Sequence, residues 1–341
     1  MHDPEAFKPF VKAVGRGEKL KRDLTFDEAA AAFRMILQRT ATDAQIGAFL
    51  IAQRVKGESV DEVLAFTQVA RTEFMQPISP QVENLLDLAP PYDGKSKTAQ
   101  LAPAVAILLA EAGVPTVLHG AEEIPTKAGI TPGAVLAALG VAVDLPPHQV
   151  ARQIEGCGVG YLAVRQFIPA WEALTPLRQQ FGLRTVLNSV EKLLNPLNAP
   201  YQVSGFFHGN YIDRLRTTMT GTRQSWMVQG EEGSIEMAAG RKTHIFAVNE
   251  AEDVILNPAE VGLSERVRVE VGPDLQAHVR LNLAVLAGQP GDATDQVALT
   301  TAVILHLLGK TTDLTSGLRQ VRELLASGAG ERRLARWRDA L

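Results

Sequence analysis

The stretch Leu118-His119-Gly120-Ala121-Glu122-Glu123-Ile124-Pro125-Thr126-Lys127-Ala128-Gly129 sets the reading of this chain. It begins at the end of Thr116-Val117-Leu118, a short apolar run of the kind that forms a buried strand. The residues from His119 to Gly129 read as the loop that leaves it. Thr131-Pro132 then opens a helix, with Thr131 as the cap and Pro132 at the first helical position, where its missing N–H removes no hydrogen bond. Strand, loop and helix in that order are the unit of an α/β fold.

Working outward, the same alternation continues. Residues 84–88 read as a strand and 101–112 as a helix, and short strands of parallel type recur at 202–207, 225–229 and 243–248. Residues 178–194 are helical and interrupt the sheet pattern, and helices over 277–307 and 318–325 close the fold. Upstream of about residue 72 the pattern is helical only. Three capping boxes, Thr25-x-x-Glu28, Thr42-x-x-Gln45 and Ser59-x-x-Glu62, mark helix starts, and Gly57 is placed to stop one. The punctuation Gln76-Pro77-Ile78-Ser79-Pro80 separates the two regimes. The expected organisation is an N-terminal helical domain over 1–72, joined by helices from about 170–195, and an α/β domain over 77–341 with a mainly parallel central sheet.

Composition limits the function classes. A chain of 341 residues with 46% hydrophobic and 21% charged residues suits a soluble globular enzyme. Its net charge of −4 makes no global basic field, so nucleic-acid binding would need a local patch. The single cysteine, Cys157, excludes an intrachain disulfide, suits a reducing cytoplasm and, among small glycines, reads as packing. No Cys or His partner stands at zinc-ligand spacing. The N-terminus lacks the apolar segment of a signal peptide, and the apolar run at 101–112 is too short to span a membrane. A cytoplasmic protein is expected.

These segments together resemble the anthranilate phosphoribosyltransferase family, over nearly the whole chain. The family reads KHGN-R-x-x-S-S-K-x-G at the opening stretch, and His119, Gly120, Thr126, Lys127 and Gly129 keep its frame, with Leu118, Ala121 and Glu122 in place of Lys, Asn and Arg. Thr42 to Ala52 with Lys56-Gly57-Glu58 look like its N-terminal helices, and Val135-Leu136-Ala137-Ala138-Leu139-Gly140 like the end of another. The most specific match is Leu177-Arg178-Gln179-Gln180-Phe181-Gly182-Leu183-Arg184-Thr185-Val186-Leu187-Asn188 with Leu194-Asn195-Pro196. The resemblance implies pentosyl transfer from phosphoribosyl pyrophosphate, a magnesium ion, and a homodimer formed through the helical domain.

It also implies site residues. The family's glycine-rich donor loop corresponds to Asp87-Leu88-Ala89-Pro90-Pro91-Tyr92-Asp93-Gly94-Lys95, where prolines replace glycines. Asp93, Gly94, Lys95, Lys97 and Thr98 are either a rewritten anion site or a solvated turn. His119 with Gly120 either orients substrate or is structural. Thr126 and Lys127 are candidate phosphate contacts, Lys127 alternatively a surface residue. Glu236, with Glu231 or Glu232, is offered as the magnesium ligand set, although Ile235 replaces the family aspartate; the alternative is a plain acidic loop. Arg178 matches the arginine that meets the anthranilate carboxylate, or else anchors a helix pair. The losses at the donor loop imply a remodelled donor site and inefficient anthranilate transfer. The chain also resembles the family's divergent, YbiB-type branch, which includes nucleic-acid binders. Arg16, Lys19, Lys21 and Arg22, and Arg332, Arg333, Arg336 and Arg338 with Trp337 for base stacking, are the clusters available to that alternative.

Overall fold

All three capping boxes form as written in a computed structural model of the chain. Thr25, Thr42 and Ser59 each accept the N–H three residues on, while Glu28, Gln45 and Glu62 bond back. They start helices Phe26–Leu37 (α2), Asp43–Lys56 (α3) and Val60–Val69 (α4), which pack with Pro4–Gly15 (α1). Gly57 ends α3 with φ 79°, a left-handed angle that glycine adopts without steric cost. The structure describes residues 3–76, 78–122, 124, 127–207, 209, 212–219, 221–248, 252–263 and 268–340.

Beyond residue 80 the described residues build one seven-stranded sheet. Its strands are Leu86–Ala89 (β1), Thr116–Gly120 (β2), Val159–Ala163 (β3), Tyr201–Gly205 (β4), Gln224–Val228 (β5), Thr243–Ala247 (β6) and Val254–Leu256 (β7). They lie in the order β3-β2-β1-β4-β5-β6-β7. The first five are parallel, with Leu88 beside both Leu118 and Val203. The expectation of a parallel strand at 243–248 is corrected: β6 runs antiparallel to β5. A parallel return usually runs through a helix that crosses the sheet, whereas the connection over 229–242 holds only the 3-10 turn Glu231–Gly233 as helical structure. Strand β3 follows the unforeseen helix Pro147–Cys157 (α7) and pairs with β2.

Alternate strand residues face two cores. On one face Leu118, Tyr161, Val203 and Trp226 pack with Ala102–Glu111 (α5), a helix apolar all round and buried accordingly. Around it lie Pro132–Ala138 (α6), and, after the short helices described next, the C-terminal four. On the other face Val117, Leu162 and Met227 pack with the buried residues of α1 to α4. That core continues through Val164–Phe167 (α8), Pro169–Glu172 (α9), Thr175–Phe181 (α10) and Leu187–Val190 (α11). Ile212–Arg216 (α12) follows β4. The C-terminal helices are Leu275–Leu286 (α13), Asp292–Leu307 (α14), Leu314–Ala326 (α15) and Ala329–Asp339 (α16). Among the described residues no helix is long and apolar enough to cross a membrane. Cys157 is buried, and burial raises its thiol pKa.

Candidate functional site

Loops leaving the C-terminal ends of β1, β2, β4 and β5 meet at one edge of the sheet, where open α/β sheets place ligands. Two of them are locked together by close backbone approach. Lys95 N–H donates to Ile130 O at 3.0 Å, Ile130 N–H to Lys95 O at 2.8 Å, and Gly129 N–H to Asp93 O at 3.0 Å. A Cβ on Gly94 would stand 2.6 Å from the Gly129 carbonyl, and one on Gly129 would stand 2.7 Å from that of Asp93. Gly94 and Gly129 are therefore needed for contact between the loops, each leaving room for the other.

Between the loops lies a cleft of about 830 Å³, lined by Lys97, Lys127, Arg184, Arg241 and Arg268 against the carboxylates Glu231 and Glu232. A second pocket of about 410 Å³ shares Arg184 and Glu232 with it and adds Tyr92, Asn188 and Lys192. Cations outnumber carboxylates five to two in the larger cleft, a balance that favours an anionic ligand.

Glu232 is the hub of this cleft. Its carboxylate accepts from the backbone N–H groups of Ser96 (3.1 Å), Lys97 (2.9 Å) and Thr98 (2.7 Å), and from the Thr98 hydroxyl (2.9 Å). The Lys127 ammonium stands 2.7 Å away. Burial alone would raise the Glu232 pKa, but the Lys127 bond and the three backbone N–H groups hold the carboxyl well below the usual carboxylate range. Lys192, at the floor of the second pocket, donates to Gly205 O at 2.8 Å and lies 3.7 Å from the Phe206 ring centroid. Burial pulls its pKa down to about 7.

The remaining expected site residues divide by where they point. Lys97 and Lys127 line the cleft; Thr98 meets it through the Glu232 carboxylate. Asp93 is buried and held by Arg184 at 2.5 Å. Lys95 turns inward, forming a fully buried pair with Glu236 at 2.9 Å and donating to Ala99 O. His119 and Gly120 are buried in the sheet: the His119 ring bridges the Tyr92 hydroxyl (2.5 Å) and Asp87 (3.2 Å), and burial raises the Tyr92 pKa. His119 thus has the contacts of the structural alternative, its ring enclosed between strands and Phe167. Thr126 lies outside the described residues. Arg178 is buried with Glu191, whose Oε1 also accepts from Trp171 Nε1 at 3.0 Å. It lines neither pocket, so the helix-anchoring alternative describes its contacts.

The carboxylates offered for magnesium do not converge. Glu231 is paired with Arg241 (3.2 Å) and Arg268 (2.9 Å), and Glu232 with its loop. Glu236 Oε1 accepts from the N–H groups of Leu101 and Ala102 at the start of α5 as well as pairing with Lys95. Its Oε2 is buried without a hydrogen-bond partner among the described residues. One free oxygen beside a buried ammonium is a poor seat for a divalent cation that wants several oxygens. Among the described residues no three acidic, His or Cys side chains group as metal ligands. Within the basic clusters, Arg22 pairs with Glu28, Lys21 with Glu18, and Arg333 with Glu111. Trp337 is fully buried, which corrects it as a stacking platform.

Arg184, Arg241, Arg268 and Lys192 were not singled out from the sequence. They come from separate segments, and only Arg184 and Lys192 fall within or beside a matched motif.

Comparison with known proteins places this geometry in a family. A model of the glycosyl transferase family's a/b domain matches residues 93–331, and one of its helical bundle domain matches residues 8–73. The anthranilate phosphoribosyltransferase of Anaeromyxobacter sp. (strain Fw109-5) is 33% identical over 321 residues, covering 93% of this chain and 94% of that protein. The enzyme of the same name from Petrotoga mobilis is 29% identical over 333 residues, covering 96% and 95%. Among solved structures, anthranilate phosphoribosyltransferase from Thermus thermophilus superposes with a TM-score of 0.84 at 28% identity, covering 98% of each chain. The Saccharomyces cerevisiae enzyme in complex with PRPP and Mg gives 0.85 at 18% identity, covering 99% and 98%, a likeness of fold. The chain belongs to the glycosyl transferase family that carries this helical bundle and a/b domain, and is similar to anthranilate phosphoribosyltransferases over almost its whole length.

Proposed function

We propose that this chain binds a phosphorylated pentosyl donor of the phosphoribosyl pyrophosphate type in the larger cleft, and that it is a transferase with a remodelled donor site acting poorly on anthranilate. The observation that carries this is the five-to-two excess of cations over carboxylates in a cleft of about 830 Å³ at the ends of parallel strands. Lys97, Lys127, Arg241 and Arg268 would neutralise a departing diphosphate, the electrostatic part of such catalysis. The adjoining pocket would seat the acceptor. Burial of Arg178 against Glu191 takes that guanidinium away from the pocket, so an anthranilate carboxylate would meet Arg54 or Arg184 there instead. The carboxylates present do not fit magnesium, so charge neutralisation in the cleft falls to its lysines and arginines.

Calorimetric titration with phosphoribosyl pyrophosphate, with and without magnesium, tests the reading. Saturable binding, weakened by Lys127→Ala, is the expected result. Absence of heat at millimolar donor, together with salt-dependent binding of oligonucleotides, would replace it with the nucleic-acid alternative. A homodimer through the helical bundle belongs to the same proposal, supported by the exposed Val55 at the end of α3 and Leu20. Sedimentation measures it.

A further inference from the structure

We propose that the Glu232 carboxylate is a tethered stand-in for a phosphoryl group, filling an oxyanion cradle that a phosphate-bearing ligand enters only by displacing it. The inference rests on the anionic-ligand reading of the cleft and adds how that ligand gains entry. Three successive N–H groups, from Ser96, Lys97 and Thr98, converge on one carboxylate, an arrangement of backbone donors suited to anions in general. The hydroxyls of Ser96 (3.3 Å) and Thr98 (2.9 Å) and the Lys127 ammonium complete it. Six donors converge on two oxygens, and their chemistry is that of a phosphate site.

The delivery of Glu232 points the same way. It adopts φ 53°, ψ 25°, a left-handed conformation that costs a side-chain-bearing residue energy and persists where its surroundings enforce it. Gly233 follows at φ 77°, and a Cβ on Gly230 would meet the Ser234 carbonyl at 2.2 Å. The backbone of this turn is thus fixed, and release is left to rotation of the Glu232 side chain. That side chain borders the larger cleft, where Lys97, together with Arg241 and Arg268 that share Glu231, supplies cations for the released carboxylate and for the rest of an incoming ligand.

A structural clasp is the competing account, and the two differ in what removing the carboxylate does. Inorganic pyrophosphate would be titrated calorimetrically into the full chain, into Glu232→Ala and Glu232→Gln, and into Glu232→Ala with Thr98→Val. Loss of an intramolecular competitor is expected to tighten pyrophosphate binding on the order of tenfold or more in Glu232→Ala. Thr98→Val leaves charge unchanged and removes a cradle donor, so it should cancel part of that gain. Glu232→Ala should also melt lower than wild type without pyrophosphate and be raised by it more than wild type is. Folded variants that bind pyrophosphate no tighter than wild type overturn the proposal, as does failure of both single variants to fold even with pyrophosphate present. The outcome separates from that of the donor test: a pentosyl donor that binds wild type while the variants gain nothing refutes the tethered carboxylate and leaves the transferase reading intact. A gain for pyrophosphate with no donor binding by any form does the reverse.

Discussion

Replacing Arg178 by methionine removes the cation from a fully buried cluster while roughly conserving its apolar stem. Glu191 is left with its charge inside the core and one remaining donor, Trp171 Nε1 at 3.0 Å. Removing one partner of a buried ion pair costs about 3–5 kcal/mol, because the surviving charge is neither solvated nor balanced. At about 2.1 cal/mol/K of unfolding entropy per residue, a chain of 341 residues converts this into a melting shift of about 4–7 °C. Melting followed by far-UV circular dichroism and tryptophan emission reads it, since Trp171 sits in the cluster. The double variant Arg178→Met with Glu191→Met should recover more than half of the loss, because no unpaired charge then remains. The reasoning is refuted if Arg178→Met melts within about 1 °C of wild type, the size of an ordinary surface change. An arginine reserved for an acceptor carboxylate would behave that way, losing ligand affinity and little stability.

Two further expectations follow from the geometry. Gly129→Ala should cost about 1–3 kcal/mol, since the added Cβ meets backbone atoms that cannot rotate away, while Gly156→Ala, on open helix surface, should be neutral or stabilising; equal melting temperatures for the two variants would contradict the packing argument. Burial lowers the Lys192 pKa from 10.5 to about 7, so between those values the unfolded chain binds more protons and this residue's contribution to stability rises with pH. The stability difference between wild type and Lys192→Met should accordingly change across that window and flatten below it, and chemical denaturation from pH 6 to 10 (roughly the span of the lysine shift) would show a constant difference if the amine titrates normally.

Local rules carried much of the architecture. The capping boxes at Thr25, Thr42 and Ser59 join residues three apart, and the run at 101–112 is apolar enough to be a helix buried on all sides, so neither needed knowledge of the rest of the chain. The matched motifs pointed to the family in the same way. Strand β3 and the reversed direction of β6 were not accessible to such rules, because each depends on which neighbour the strand finds. The site depended on tertiary structure still more. Lys95 and Lys97 are two residues apart, yet one is buried against Glu236 and the other borders the cleft. Glu231, Glu232 and Glu236 look like one acidic loop, but they answer to Arg241 and Arg268, to the Ser96–Thr98 backbone, and to Lys95. A helix cap is settled within one turn of chain, whereas the role of a charge is set by its nearest opposite charge or donor. For Glu232 that partner lies more than a hundred residues away, so its carboxylate acquires a meaning only once the loops of β1 and β5 have been brought together.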